Sequence, residues 1–144
     1  MRRLMIGLIA ALVVQVSAGQ EEMSLEDYAT LMDSNRQAFS AVQAAVDTAA
    51  YQDARVSVAI LRRNFQGLVP FWSARERADA VGIVRDGVDR LAALEELLSR
   101  TWDVPEMPVQ QATEEFRGAV CAACHDAYRE GDSESGFRFR EGMF

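Results

Sequence analysis

The chain has 144 residues, and its 15 basic side chains against 22 acidic ones give a formal net charge of −7. That length holds one domain and not comfortably two. A surface this acidic repels nucleic acid and anionic membranes, so neither is expected as a partner. All 15 basic residues are arginine, a choice that points to no function.

Met1-Arg2-Arg3 is a short positive start, Leu4 to Val16 an apolar run broken only by Gly7 and Gln15, and Val16-Ser17-Ala18 a stretch where a signal peptidase would cut. This order predicts a secretory signal peptide over residues 1–18, lost on export to the periplasm, with no stable membrane insertion afterwards; an uncleaved anchor is the competing reading. The mature domain, residues 19–144, keeps 13 arginines against 22 acids, a net −9, and is long enough for one hydrophobic core.

Four helices follow from periodicity. The first opens at Ser24-Leu25-Glu26-Asp27, a capping-box pattern, and places Leu25, Tyr28, Met32, Asn35, Phe39, Val42, Val46 and Ala49 on one face. The second runs from about Asp53 to Leu68 on the stripe Ala54, Val58, Leu61, Phe65 and Leu68, with Pro70 as punctuation and Phe71-Trp72 in the connection. The third is expected from Ser73, with Glu76 completing a second capping box, to about Arg100; Gly82 and Gly87 weaken it. The fourth is expected from near Pro108 to before Gly131, turning Val109, Ala112, Phe116, Val120, Ala123 and Ala127 to the core. The tail from Asp132 begins polar and ends in Phe137-Arg138-Phe139-Arg140, either folded back or frayed. The expected class is all-α, an antiparallel up-down-up-down four-helix bundle.

The chemistry sits in Cys121-Ala122-Ala123-Cys124-His125. A disulfide across so short a loop constrains the unfolded chain little. A zinc site needs about four ligands, and a thioredoxin-like pair needs a βαβ setting that this chain lacks. The pattern suits covalent attachment of one haem c instead: two thiols add across the vinyl groups, and the histidine that follows offers a nitrogen to the iron. His125 is the only histidine, so the opposite axial position holds methionine, a weaker ligand or nothing.

A haem signature near the C-terminus, at the end of a fourth helix, resembles the class II c-type cytochromes, the family of cytochrome c-prime and its low-spin methionine-ligated relatives. The match is most specific over Cys121 to Arg129 (Cys-Ala-Ala-Cys-His-Asp-Ala-Tyr-Arg), and the Tyr28 to Phe39 segment looks like the family's first helix. The resemblance implies haem bound near the C-terminal helix, with a first-helix residue facing the iron opposite His125. Leu31 to Arg36 is similar to the low-spin pattern, which makes Met32 the sixth ligand. A second register aligns Arg36 with the arginine common in c-prime proteins and puts Ser40 opposite the iron, leaving the site open. Met23, Met107 and Met143 are expected in loops and the tail.

Phe39, Phe65, Phe71, Trp72, Phe116 and Tyr128 are candidate haem walls, with plain core the alternative for each. Arg129, one turn beyond His125, is a candidate partner for a haem propionate. The functions implied are a one-electron carrier, whose redox partner proteins would present a basic patch to this acidic surface, or an open-site protein binding nitric oxide or carbon monoxide. Enzyme activity of a peroxidase kind is not expected, because no second histidine supplies a distal acid–base group. The family resemblance also implies a homodimer, with a monomer the alternative.

Overall fold

The structure, a computed structural model, describes residues 22–100, 102–132 and 134–143; the expected signal peptide lies outside them. The described chain is mostly helical, with four helices packed against one another. α1 spans Leu25–Asp47, α2 Tyr51–Ala74, α3 Ala78–Leu98 and α4 Glu106–Phe116. α4 runs on through a π-helical stretch, Arg117–Ala122, into the short α5, Ala123–Tyr128. α1 packs on α2, α2 on α3, α3 on α4, and α4 returns to α1. Two-residue strands β1 (Arg129–Glu130) and β2 (Arg138–Phe139) pair antiparallel after α5, Arg129 opposite Phe139 and Glu130 opposite Arg138.

α1 starts where its capping box predicts. Ser24 Oγ accepts from the Asp27 amide at 3.0 Å, and Asp27 Oδ2 accepts from the Ser24 amide at 3.2 Å, so two otherwise unpaired amides are satisfied. Of the expected stripe, Tyr28, Asn35, Val42 and Val46 are buried, whereas Leu25 is 51% exposed and Ala49 lies beyond the helix.

The links between α1 and α2 and between α2 and α3 are three residues each and are built alike. After α1, the Ala50 amide donates to Ala45 O and the Ala49 amide to Val46 O; after α2, Arg77 donates to Trp72 O and Glu76 to Ser73 O. Both are Schellman closures with the left-handed residue after the cap, Ala49 and Glu76, each at φ 55. The expected capping box at Ser73 and Glu76 therefore does not form: Ser73 belongs to the last turn of α2, Glu76 sits in its closing link, and α3 begins at Ala78.

α2 also passes through Pro70 instead of stopping before it, which brings Phe71 and Trp72 into the helix rather than the connection. Proline in a helix interior costs about 3 kcal/mol. Burial of the two large side chains that follow, which are 1% and 0% exposed, returns roughly that much or more. α4 begins at Glu106, with Pro108 tolerated in its first turn, where amides have no helical acceptor anyway.

Gly87 of α3 is not merely a weak spot. A Cβ there would stand 2.9 Å from Val120 Cγ1 and 3.0 Å from the Phe65 ring, so its lack of a side chain lets α2, α3 and the π-helical stretch approach closely. The tail folds back. Arg140 donates its amide to Tyr128 O at 3.0 Å and its guanidinium to Asp126 O at 2.8 Å, capping carbonyls at the end of α5. Gly131 permits the return: it has φ +87, and a Cβ would meet Gly136 O at 2.1 Å.

Among the described residues no helix is long and apolar enough to cross a membrane.

Candidate functional site

A cavity of about 320 Å³ opens between the helices, within the usual range for ligand pockets. Cys121, Cys124 and His125 contribute one part of its lining, and α1 contributes Met32, Asn35, Arg36, Phe39, Ser40 and Gln43. Leu61, Phe65 and Leu68 of α2 with Ile83 and Val84 of α3 complete an apolar interior, which Tyr28 also lines.

The π-helical stretch immediately precedes the motif. Its i→i+5 turns hold an extra residue each, so side chains beyond it are rotated relative to an uninterrupted α-helix. Beyond it the expected stripe is broken, with Tyr128 buried, Ala123 only half so and Ala127 exposed; upstream, in α4 itself, Thr113 is buried and Ala112 only half so. Cys121, Cys124 and His125 are left half-buried on the cavity.

Both cysteines are free thiols. Burial pushes each up to about 11, with the Cys121 and Asp79 charges adding to the effect at Cys124. Redox-active pairs of this spacing lower a thiol pKa instead, which speaks against nucleophilic use. His125 is shifted down from 6.5, first by burial and then by Arg129, against a smaller upward pull from Asp126. The imidazole is thus held neutral near pH 7, the form whose ring nitrogen can bind a metal. Among the described residues no three or more His, Cys, Asp or Glu side chains gather as a metal cluster, so the zinc alternative gains nothing.

The structure brings together Cys121, Cys124, His125, Met32, Phe39 and Phe65 of the candidate residues. The others lie elsewhere. Phe116 is core, packed against Phe39 at 5.8 Å and Phe65 at 5.4 Å. Phe71, Trp72 and Tyr128 belong to an aromatic cluster beyond Tyr28: Tyr28 stacks on Phe71 at 4.4 Å, and Trp72 meets Tyr128 at 4.9 Å. Phe139 from the tail joins it, 5.1 Å from Tyr28. Arg129 is off the lining, its guanidinium 3.9 Å above the Phe137 ring, although its charge reaches His125.

Asn35 was legible only as a member of the α1 face, and Gln43 read as lying off that face, yet both line the cavity. Leu61 and Leu68 read as ordinary core. Arg36 and Ser40, the pair of the second register, line the same cavity as Met32.

No protein-family model, no curated protein and no solved structure matches the chain.

The lining fits a haem c in its donor set: two unbridged thiols, a neutral imidazole and a thioether around an apolar interior with few polar groups.

Proposed function

We propose that the chain is an exported, periplasmic monohaem c-type cytochrome of the class II kind, an antiparallel up-down-up-down bundle that carries single electrons. One observation carries the reading: Cys121, Cys124 and His125 line the same cavity as Met32, which belongs to a different helix. In this reading Cys121 and Cys124 would hold the group by thioether bonds, and a His125 nitrogen and the Met32 sulfur would ligate its iron. Haem c bound there supplies a one-electron ferrous–ferric couple, and two protein ligands leave no position for substrate.

The chain's own residues do the rest. The apolar side chains of α2 and α3 keep water from the cavity, and the capped α5 fixes the imidazole against it. The net negative charge steers the protein toward a redox partner with a basic patch. Pairing of two copies through the first two helices is the assembly the family resemblance suggests.

A second reading rests on Arg36 and Ser40 lining the same cavity: the iron keeps an open sixth site and takes nitric oxide or carbon monoxide.

Optical spectra of protein co-expressed with a c-type haem maturation system decide between them. Electron-carrier function predicts a low-spin ferrous spectrum indifferent to carbon monoxide, which becomes high-spin in Met32→Ala. A high-spin native spectrum that takes up the gas hands the site to the second reading. Absence of covalent haem sinks both.

A further inference from the structure

One polar residue that lines the cavity has hydrogen-bonding capacity unmet. Asn35 is 8% exposed, and its Oδ1 accepts from Asn64 Nδ2 at 3.0 Å. Asn64 Nδ2 also donates to Ser34 Oγ at 3.1 Å. The Asn35 Nδ2 is buried and donates to nothing. An orphaned buried amide is destabilising, and an apolar side chain at the same helix position would carry no such cost.

The placement suggests why the amide is kept. Helical side chains lean toward the N-terminus of their helix. Asn35 therefore leans over the turn that carries Met32, three residues earlier, and both line the cavity opened by Cys121, Cys124 and His125. Asn64, on the neighbouring α2, occupies the oxygen end of the Asn35 carboxamide and leaves the N–H end to serve another acceptor.

We infer that Asn35 is a hydrogen-bond donor to the acceptor atom bound to the iron opposite His125, with Asn64 as the positioning residue that orients the carboxamide. This rests on the haem reading above. The shared chemistry is a weak acceptor held on the metal, and it has two sources: the Met32 thioether sulfur, or a small exogenous ligand such as carbon monoxide. A donor to a ligating sulfur withdraws electron density from it and favours ferrous iron. A donor to a bound diatomic holds that ligand in place.

The test uses the holoprotein, in wild-type form and as Asn35→Leu, which keeps bulk and removes the donor. If Met32 is the source, Asn35→Leu lowers the reduction potential, shifting the reduced-to-oxidised ratio by roughly threefold to tenfold. It also moves the thioether-to-iron charge-transfer band, and both changes disappear in a Met32→Ala background. If the ligand is exogenous, Asn35→Leu releases carbon monoxide roughly threefold to tenfold faster, with little change in its association rate. Asn64→Ser leaves Asn35 in place but poorly held, so it shows a smaller change of the same sign; it also provides the test if Asn35→Leu fails to fold. Intact covalent haem with unmoved potential, band and release rate in both variants overturns this inference alone, leaving Asn35 and Asn64 as a brace between α1 and α2. A preparation without covalent haem overturns the haem reading and the inference with it.

Discussion

Two regions flank α5 and are built on opposite terms. On one side the rings of Tyr28, Phe71, Trp72, Tyr128 and Phe139 interlock with centroids mostly 4.4 to 5.8 Å apart, and they draw on α1, α2, α5 and the tail. On the other side lies the cavity, walled by half-buried Met32 and Phe39 and edged by an amide with an unused donor. Tyr28 belongs to both, and burial pushes its hydroxyl well above the usual tyrosine range. The contrast teaches where rigidity is placed: the cluster clamps the last helix and tail, and Cys124 and His125 on that helix, with Cys121 just before it, are thereby held over the cavity.

The clamp can be broken most severely at its centre. Trp72→Ala should cost about 3–5 kcal/mol of stability in denaturant unfolding, and Phe39→Ala on the cavity wall markedly less. Near-equal losses would mean that the two regions are equally packed.

Gly87→Val attacks the other side by overfilling it. Its side chain runs into Val120 and Phe65, and an overpacked core loses about 1–3 kcal/mol. Displacement of Phe65, which lines the cavity, should also weaken haem loading, measured as covalent haem per polypeptide. Stability loss with full loading would separate the cavity from this contact.

The thiols supply a pH test. Their pKa values are raised by burial from 9.0 to about 11, so the unfolded chain gives up these protons first. Their contribution to stability is complete below pH 9 and is lost as pH rises through 11. A chain with free thiols should lose stability over that window, and one with both sulfurs in thioether bonds should not lose that part. Identical alkaline profiles would count against thioether attachment at these two cysteines. His125 acts in the opposite sense. Its lowered pKa means that the unfolded chain binds the proton more readily, so its contribution falls as pH drops below 6.5.

The smallest effects belong to the links. Ala49→Gly and Glu76→Gly relieve left-handed backbone at φ 55, worth about 1 kcal/mol each before the added freedom of the unfolded chain is deducted. Thermal melts that fall instead of rising would show that this link geometry is not strained in solution.

Much of this was legible in the linear chain. Capping chemistry is local, so Ser24 and Asp27 set the start of α1 without reference to anything distant. The apolar spacings identified four helices because periods near 3.6 record a face to be buried whatever covers it. The donor pattern Cys121, Cys124 and His125 is equally local. The end of α2 was hidden for the opposite reason. Pro70 is a strong local stop, and only burial of Phe71 and Trp72 against Tyr28 and Tyr128 overrides it. That shift then turned the apparent capping box at Ser73 and Glu76 into a helix ending.

The sequence by itself determined the existence of four helical stretches, the starting cap and the Cys-Ala-Ala-Cys-His string, because each depends on neighbours within a few bonds or turns. Only the tertiary structure decided which side chains meet that string. The π-helical turns at Arg117–Ala122 set the rotation of Cys121, Cys124 and His125, and the packing of α1 against α2 brought Met32 and Asn35 into the same cavity. Such meetings depend on how whole helices rotate and approach, and a residue's own neighbours in the chain carry no record of either.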